Sequence, residues 1–128
     1  MLSILIIEDD PNIRLFYKVN LHQRGFKVIP AQDPENALIS LQEELPAMIL
    51  LDMNFSGMDG NDFLAYLNHN PRLKNIPVII VTAMIYALDA VQAQYPNVVS
   101  LLTKPFSVGI LIEAVLAVQN SREQRKNS

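Results

Sequence analysis

The sequence predicts a doubly wound α/β fold: one five-stranded parallel sheet between two layers of helices, a (βα)5 three-layer sandwich. Three observations carry that expectation. Strand-like and helix-like stretches alternate five times along the chain. Three of the strand runs are apolar almost throughout rather than alternating, as in strands buried on both faces. The stretches between them are long enough for helical crossovers, which parallel neighbours require.

Ser3-Ile4-Leu5-Ile6-Ile7 is the first strand and runs into Glu8-Asp9-Asp10. Asp10-Pro11-Asn12 opens the first helix, with Asp10 as cap and Pro11 at the first helical position. Its apolar members are Ile13, Phe16, Tyr17, Val19 and Leu21, and Gly25 supplies a left-handed stop. Strand two covers Phe26 to Ala31. Asp33-Pro34 begins helix two, whose buried stripe is Ala37, Leu38 and Leu41, and Pro46 follows its end. Met48-Ile49-Leu50-Leu51 delivers Asp52 at the end of strand three. A loop with Gly57 and Gly60 leads into helix three, about Asn61 to His69, with Phe63, Leu64 and Leu67 inward. Val78 to Val81 is strand four and runs into Thr82. Helix four spans roughly Met84 to Tyr95. Val98 to Leu102 runs through Thr103 into Lys104-Pro105, and helix five spans roughly Val108 to Ser121. One domain over 1–121 is expected, with 122–128 as a polar, frayed tail. No linker or internal repeat is visible, and no output domain is expected within the residues after helix five.

Composition narrows the function. The 128 residues suit a single domain, and 50% hydrophobic content is enough for a core. A net charge of −3 gives no footprint for nucleic acid. With no cysteine, thiol nucleophiles, disulfides and cysteine metal clusters are excluded. No apolar run reaches a membrane span, and the N-terminus lacks the pattern of a signal peptide. A cytoplasmic protein is expected.

Ligands of open parallel sheets gather at the carboxyl ends of the strands. Here those ends carry Glu8-Asp9-Asp10, Asp52, Thr82 and Lys104. Clustered carboxylates repel one another without a cation, and hard oxygen ligands suit Mg²⁺, which takes one or two carboxylates and keeps water. The expected metal set is Asp52, one of Asp9 and Asp10 with the other acting through water, and a main-chain carbonyl from the loop after strand three. Glu8 is expected to point to the opposite face of its strand. Beside a metal, Asp52 is a nucleophile toward phosphorus. Lys104 then contributes a point charge and Thr82 a hydroxyl donor. Binding of Thr82 to an arriving phosphoryl oxygen would draw it inward and vacate volume behind it.

At this point the chain resembles the receiver domain of two-component response regulators. The matching stretches are Ile6-Ile7-Glu8-Asp9-Asp10, Leu50-Leu51-Asp52-Met53-Asn54, Gly57-Met58-Asp59-Gly60, Val81-Thr82-Ala83 and Thr103-Lys104-Pro105-Phe106, in order and at the family's spacing. The resemblance implies a flavodoxin-like fold and a signalling switch that catalyses only its own phosphorylation and dephosphorylation. It implies Asp52 as phosphoacceptor, Asp9 and Asp10 as the metal-binding acid pair, and the main-chain carbonyl of Asn54 as a further Mg²⁺ ligand. Thr82 resembles the switch hydroxyl and Lys104 the phosphate-binding lysine, with a cis bond before Pro105. A sensor histidine kinase or phosphotransfer protein would be the donor; the output partner is unknown.

Three departures stand out. Ser56 replaces a usual proline, Leu101 replaces a usual aromatic, and the charged pairing network of helix four, strand five and helix five is missing. Helix five is instead very apolar, with Val108, Ile110, Leu111, Ile112, Val115, Leu116 and Val118. Helix four adds Ile85, Tyr86, Leu88, Val91 and Tyr95. A protein-binding or self-association face on helices four and five is expected. Two rival functions differ in chemistry. A phosphorylation-independent pseudo-receiver would not need the Asp52, Thr82 and Lys104 set. An aspartate-nucleophile phosphatase of the haloacid-dehalogenase type would carry a second Asp where Asn54 stands, and a cap domain. A Rossmann or P-loop module lacks its glycine-rich loop after strand one.

Overall fold

A computed structural model describes residues 2–53, 60–83 and 88–126. In chain order the elements are β1 (Ser3–Ile7), α1 (Pro11–Gln23), β2 (Lys27–Ala31), α2 (Pro34–Glu43) and β3 (Met48–Asp52). They continue with α3 (Gly60–Asn68), β4 (Val78–Thr82), α4 (Leu88–Gln94), β5 (Val98–Thr103) and α5 (Val108–Lys126). The five strands form one sheet in the order β2-β1-β3-β4-β5, and every pairing is parallel. The doubly wound sheet expected from the sequence is therefore present.

The two faces of the sheet explain the continuous apolar runs. Leu5, Ile7, Ile49, Leu51, Val78 and Ile80 point to the side where Ala37 and Leu41 of α2 and Phe63, Leu64 and Leu67 of α3 pack. Ile4, Ile6, Met48, Leu50, Ile79 and Val81 point to the other, against Tyr17 and Leu21 of α1 and Leu111, Ile112 and Val115 of α5. β1, β3 and β4 are buried at every position. β2 lies at an edge and is half exposed, which is where Pro30 costs no ladder bond that a central strand would need.

Helix ends follow the sequence signals. Asp10 Oδ1 accepts from the main-chain amides of Asn12 at 2.8 Å and Ile13 at 3.3 Å, capping α1. Asp33 Oδ1 accepts from the Asn36 amide at 2.8 Å, capping α2. Gly25 takes a φ of 89°, the left-handed conformation that closes α1. α5 differs from expectation, because it runs through Lys126 rather than ending at Ser121. Arg122, Glu123 and Gln124 are good helix formers, and no glycine or proline interrupts them.

Exposure also differs in one place. Phe16 and Val19 of α1 face solvent with Leu15, while Tyr17 and Leu21 face the core. On α5, Ile110 and Leu116 are exposed and Leu111, Ile112, Val115 and Val118 are buried. The densest exposed apolar stripe among the described residues is thus on α1. Ile85 and Tyr86 lie outside the described residues, as do Asn54 and Ser56.

Candidate functional site at the carboxyl edge of the sheet

β3 ends at the centre of the sheet, and Asp52 is its last residue. Only 2% of Asp52 is exposed. A buried carboxylate needs a partner, and the Lys104 ammonium, just past β5, forms an ion pair and hydrogen bond with Asp52 Oδ2. Lys104 reaches it because its own amide donates to the Thr82 carbonyl at 2.7 Å, fixing the end of β5 on β4. The Lys104-Pro105 peptide is cis, as the resemblance implied.

Glu8 overturns its expectation. It is 2% exposed and lies against Asp52 rather than on the far face. The reason is register. Ile6 pairs with Leu50 and Ile7 with Leu51, so the next step places Glu8 level with Asp52. By alternation Glu8 follows Ile4 and Ile6, and Asp52 follows Met48 and Leu50, which share one face. The sequence carried this signal, since strand parity should be counted against Asp52 and not against Asp9.

The environment of Glu8 favours its protonated form. Burial, then a hydrogen bond with Asp52 and its charge, push the Glu8 carboxyl up from 4.5 to about 8. The Asp10 amide, donating to Glu8 Oε1 at 3.2 Å, and the Lys104 charge oppose this and lose. Glu8 Oε2 meets no ordinary donor. Next to a second carboxylate it is satisfied by its own proton or by a metal ion.

The remaining acids divide. Asp10 spends its carboxylate on the first amides of α1. Asp9 is exposed at the rim, next to Glu8. Arg14 steadies this turn by donating to the Glu8 carbonyl at 2.8 Å. Among the described residues no three acids or histidines are close enough to cage an ion alone. The donor set present, the buried carboxyl groups of Glu8 and Asp52, of which Glu8 Oε2 has no hydrogen-bond donor, fits an Mg²⁺ that keeps waters and takes one or two carboxylates.

Thr82 ends β4 and is 1% exposed, already turned inward. It follows Val78 and Ile80 on the α3 side of the sheet. On that side a cleft of about 210 Å³ is lined by Met53, Leu64, Ile80, Val91, Tyr95 and Leu101, among others. Leu101, at the position where the family often has an aromatic, is half-buried there. Tyr17, which the sequence presents only as an apolar member of the first helix, also belongs to the site: its hydroxyl lies within electrostatic reach of Glu8 and Asp52. Its signal was a polar-tipped aromatic on the core stripe of the helix that starts at the acids.

Comparison with known proteins agrees with this fold. The family model of the response regulator receiver domain matches residues 4–116. The phosphate regulon transcriptional regulatory protein PhoB of Escherichia coli (strain K12) is 34% identical over 90% of this chain and 50% of its own length. The response regulator Rre1 of Synechocystis is 32% identical over 96% of this chain and 53% of its own. The chain thus spans about half the length of these curated relatives. The receiver domain of Francisella response regulator 1452 superposes with a TM-score of 0.84 and 26% identity, covering 95% of this chain and 99% of that one. No helix among the described residues is long and apolar enough to cross a membrane. The chain belongs to the response regulator receiver domains of two-component signalling.

Proposed function

We propose that this receiver takes its phosphoryl group on Asp52. The observation that carries the reading is the pairing of a buried Asp52 with Lys104, beside the buried carboxyl of Glu8. A carboxylate oxygen of Asp52 attacks the phosphorus of a phosphohistidine on a sensor kinase or phosphotransfer protein. The oxygen–phosphorus bond forms as the nitrogen–phosphorus bond breaks, and the leaving imidazole keeps the electron pair. Lys104 transfers its charge from Asp52 to a phosphoryl oxygen, and Thr82 donates its hydroxyl to another.

Mg²⁺ would be held by Asp52 and by Glu8 or Asp9, with water and, by resemblance alone, the main-chain carbonyl of Asn54, which lies outside the described residues. When bound, the ion supplies positive charge opposite the carboxylates and the phosphoryl oxygens. Asp10, read from the sequence as a member of this set, keeps to its cap, and Glu8 takes the inner place.

The domain is a switch rather than a metabolic enzyme: it promotes only gain and loss of its own phosphoryl group, and these shift the population between two surfaces. The donor approaches the rim from the start of α1, where Leu15, Phe16 and Val19 offer apolar contact. Self-association through α4 and α5 has Ile110 and Leu116 as support. The net charge of −3 favours output through a protein partner rather than direct contact with nucleic acid, in the cytoplasm. The test is intact mass after incubation with acetyl phosphate. A gain of one phosphoryl group that needs Mg²⁺ and is absent in Asp52→Asn supports the reading; no gain from acetyl phosphate or from a phosphohistidine protein overturns it.

A further inference from the structure

Tyr17 has no part in the chemistry above, yet it stands at the wall of the site. It is 4% exposed and packs with Ile4, Ile6 and Leu50, under the strands that end in Glu8 and Asp52. Burial, then the charges of Glu8 and Asp52, hold its hydroxyl above the ordinary tyrosine range, so the phenol stays neutral. The Tyr17 ring stacks on Phe106, with centroids 6.4 Å apart and planes within 11°. Phe106 lies two positions after Lys104, which pairs with Asp52.

A lysine carries its charge on a flexible four-carbon stem, so its placement depends on how firmly its main chain is held. On one side the stretch around Lys104 is fixed to β4 by the bond from the Lys104 amide to the Thr82 carbonyl. On the other side the Phe106 ring is seated on α1 through Tyr17. A leucine at position 17 keeps an apolar side chain in the core, though a smaller one, and offers no flat face to the Phe106 ring. We infer that Tyr17 is a positioning residue for phosphoryl capture, its ring clasping Phe106 and so holding Lys104 opposite Asp52.

The inference rests on the phosphoacceptor reading, and the test separates the two. The rate of phosphorylation from acetyl phosphate at saturating Mg²⁺ is measured for Tyr17→Leu, Tyr17→Phe and Phe106→Leu, each alone and combined with Lys104→Ala. Removing either ring lowers the rate roughly ten- to a hundred-fold, the scale of a displaced catalytic group. Tyr17→Phe keeps the ring and restores the rate to within about two-fold, well inside that scale. In the Lys104→Ala background the ring substitutions change nothing further, because they act through Lys104. Rates unchanged by loss of the ring, or losses that multiply fully with that of Lys104→Ala, overturn the inference. Should Tyr17→Leu fail to fold, Phe106→Leu, at a half-buried position, decides alone. If the wild type gains no phosphoryl group, the phosphoacceptor reading fails by itself. Lys104 labelling by an amine-reactive acylating reagent then decides: faster labelling in Tyr17→Leu sustains the clasp, and equal labelling removes it.

Discussion

Replacing Glu8 with glutamine turns the buried acid into a permanent analogue of its protonated form. In the metal-free protein Glu8 titrates at about 8 instead of 4.5. Between those values the folded state holds a proton that the unfolded chain has released. Stability from this group is therefore fully present below about pH 4.5 and is lost as pH rises through 8. A difference of one bound proton gives a slope of about 1.4 kcal/mol per pH unit in the middle of the window. Urea unfolding without divalent cations, at half-unit steps from pH 5 to 8.5, measures the effect. Wild-type stability falls by a few kcal/mol across the series, whereas Glu8→Gln loses most of that slope and exceeds the wild type at the alkaline end. A wild type that grows more stable with rising pH, or a variant with the same slope, would refute the placement of Glu8 against Asp52.

Three further outcomes follow from single contacts. Adding Mg²⁺ to metal-free protein in weakly buffered solution at pH 7 releases up to about one proton, since Glu8 holds one there; pH-stat titration reads it, and Glu8→Gln abolishes it. Gly60→Ala puts a methyl group where the end of the Met53 side chain lies. Only the thioether end of Met53, a flexible and half-buried side chain, has to swing aside, so urea unfolding shows a loss of about 1 kcal/mol or less. Asp33→Ala removes the acceptor of the Asn36 amide and lowers stability by about 1 kcal/mol while leaving phosphorylation unchanged.

The apolar runs before Glu8, Asp52 and Thr82 were legible because a central parallel strand is buried on both faces and leaves little room for polar residues. Asp10 and Asp33 were legible as caps because each precedes a proline at a helix start. Asp52 and Lys104 were readable from strand ends, and their direct pairing needed only the parallel topology to follow. What the sequence hid depended on register and rotation. Glu8 looked misdirected when its parity was taken from Asp9, and only the Ile6–Leu50 pairing puts it level with Asp52. Phe16 and Val19 read as members of an apolar helix, but α1 lies on the sheet by one side only, and Tyr17 and Leu21 occupy that buried stripe. Tyr17 and Phe106 are far apart in sequence, and no local pattern announces that their rings stack. The end of α5 was misjudged because polarity was read as fraying, while Arg122, Glu123 and Gln124 favour helix.

The most direct test of the central claim is to locate the phosphoryl group. Protein treated with acetyl phosphate and Mg²⁺ is reduced with borohydride, which converts an aspartyl phosphate to the corresponding alcohol, and its peptides are then sequenced by mass spectrometry. The alcohol at position 52, and at neither Asp9 nor Asp10, is the predicted result. A modified Asp9 or Asp10 with an unchanged Asp52 would contradict the assignment.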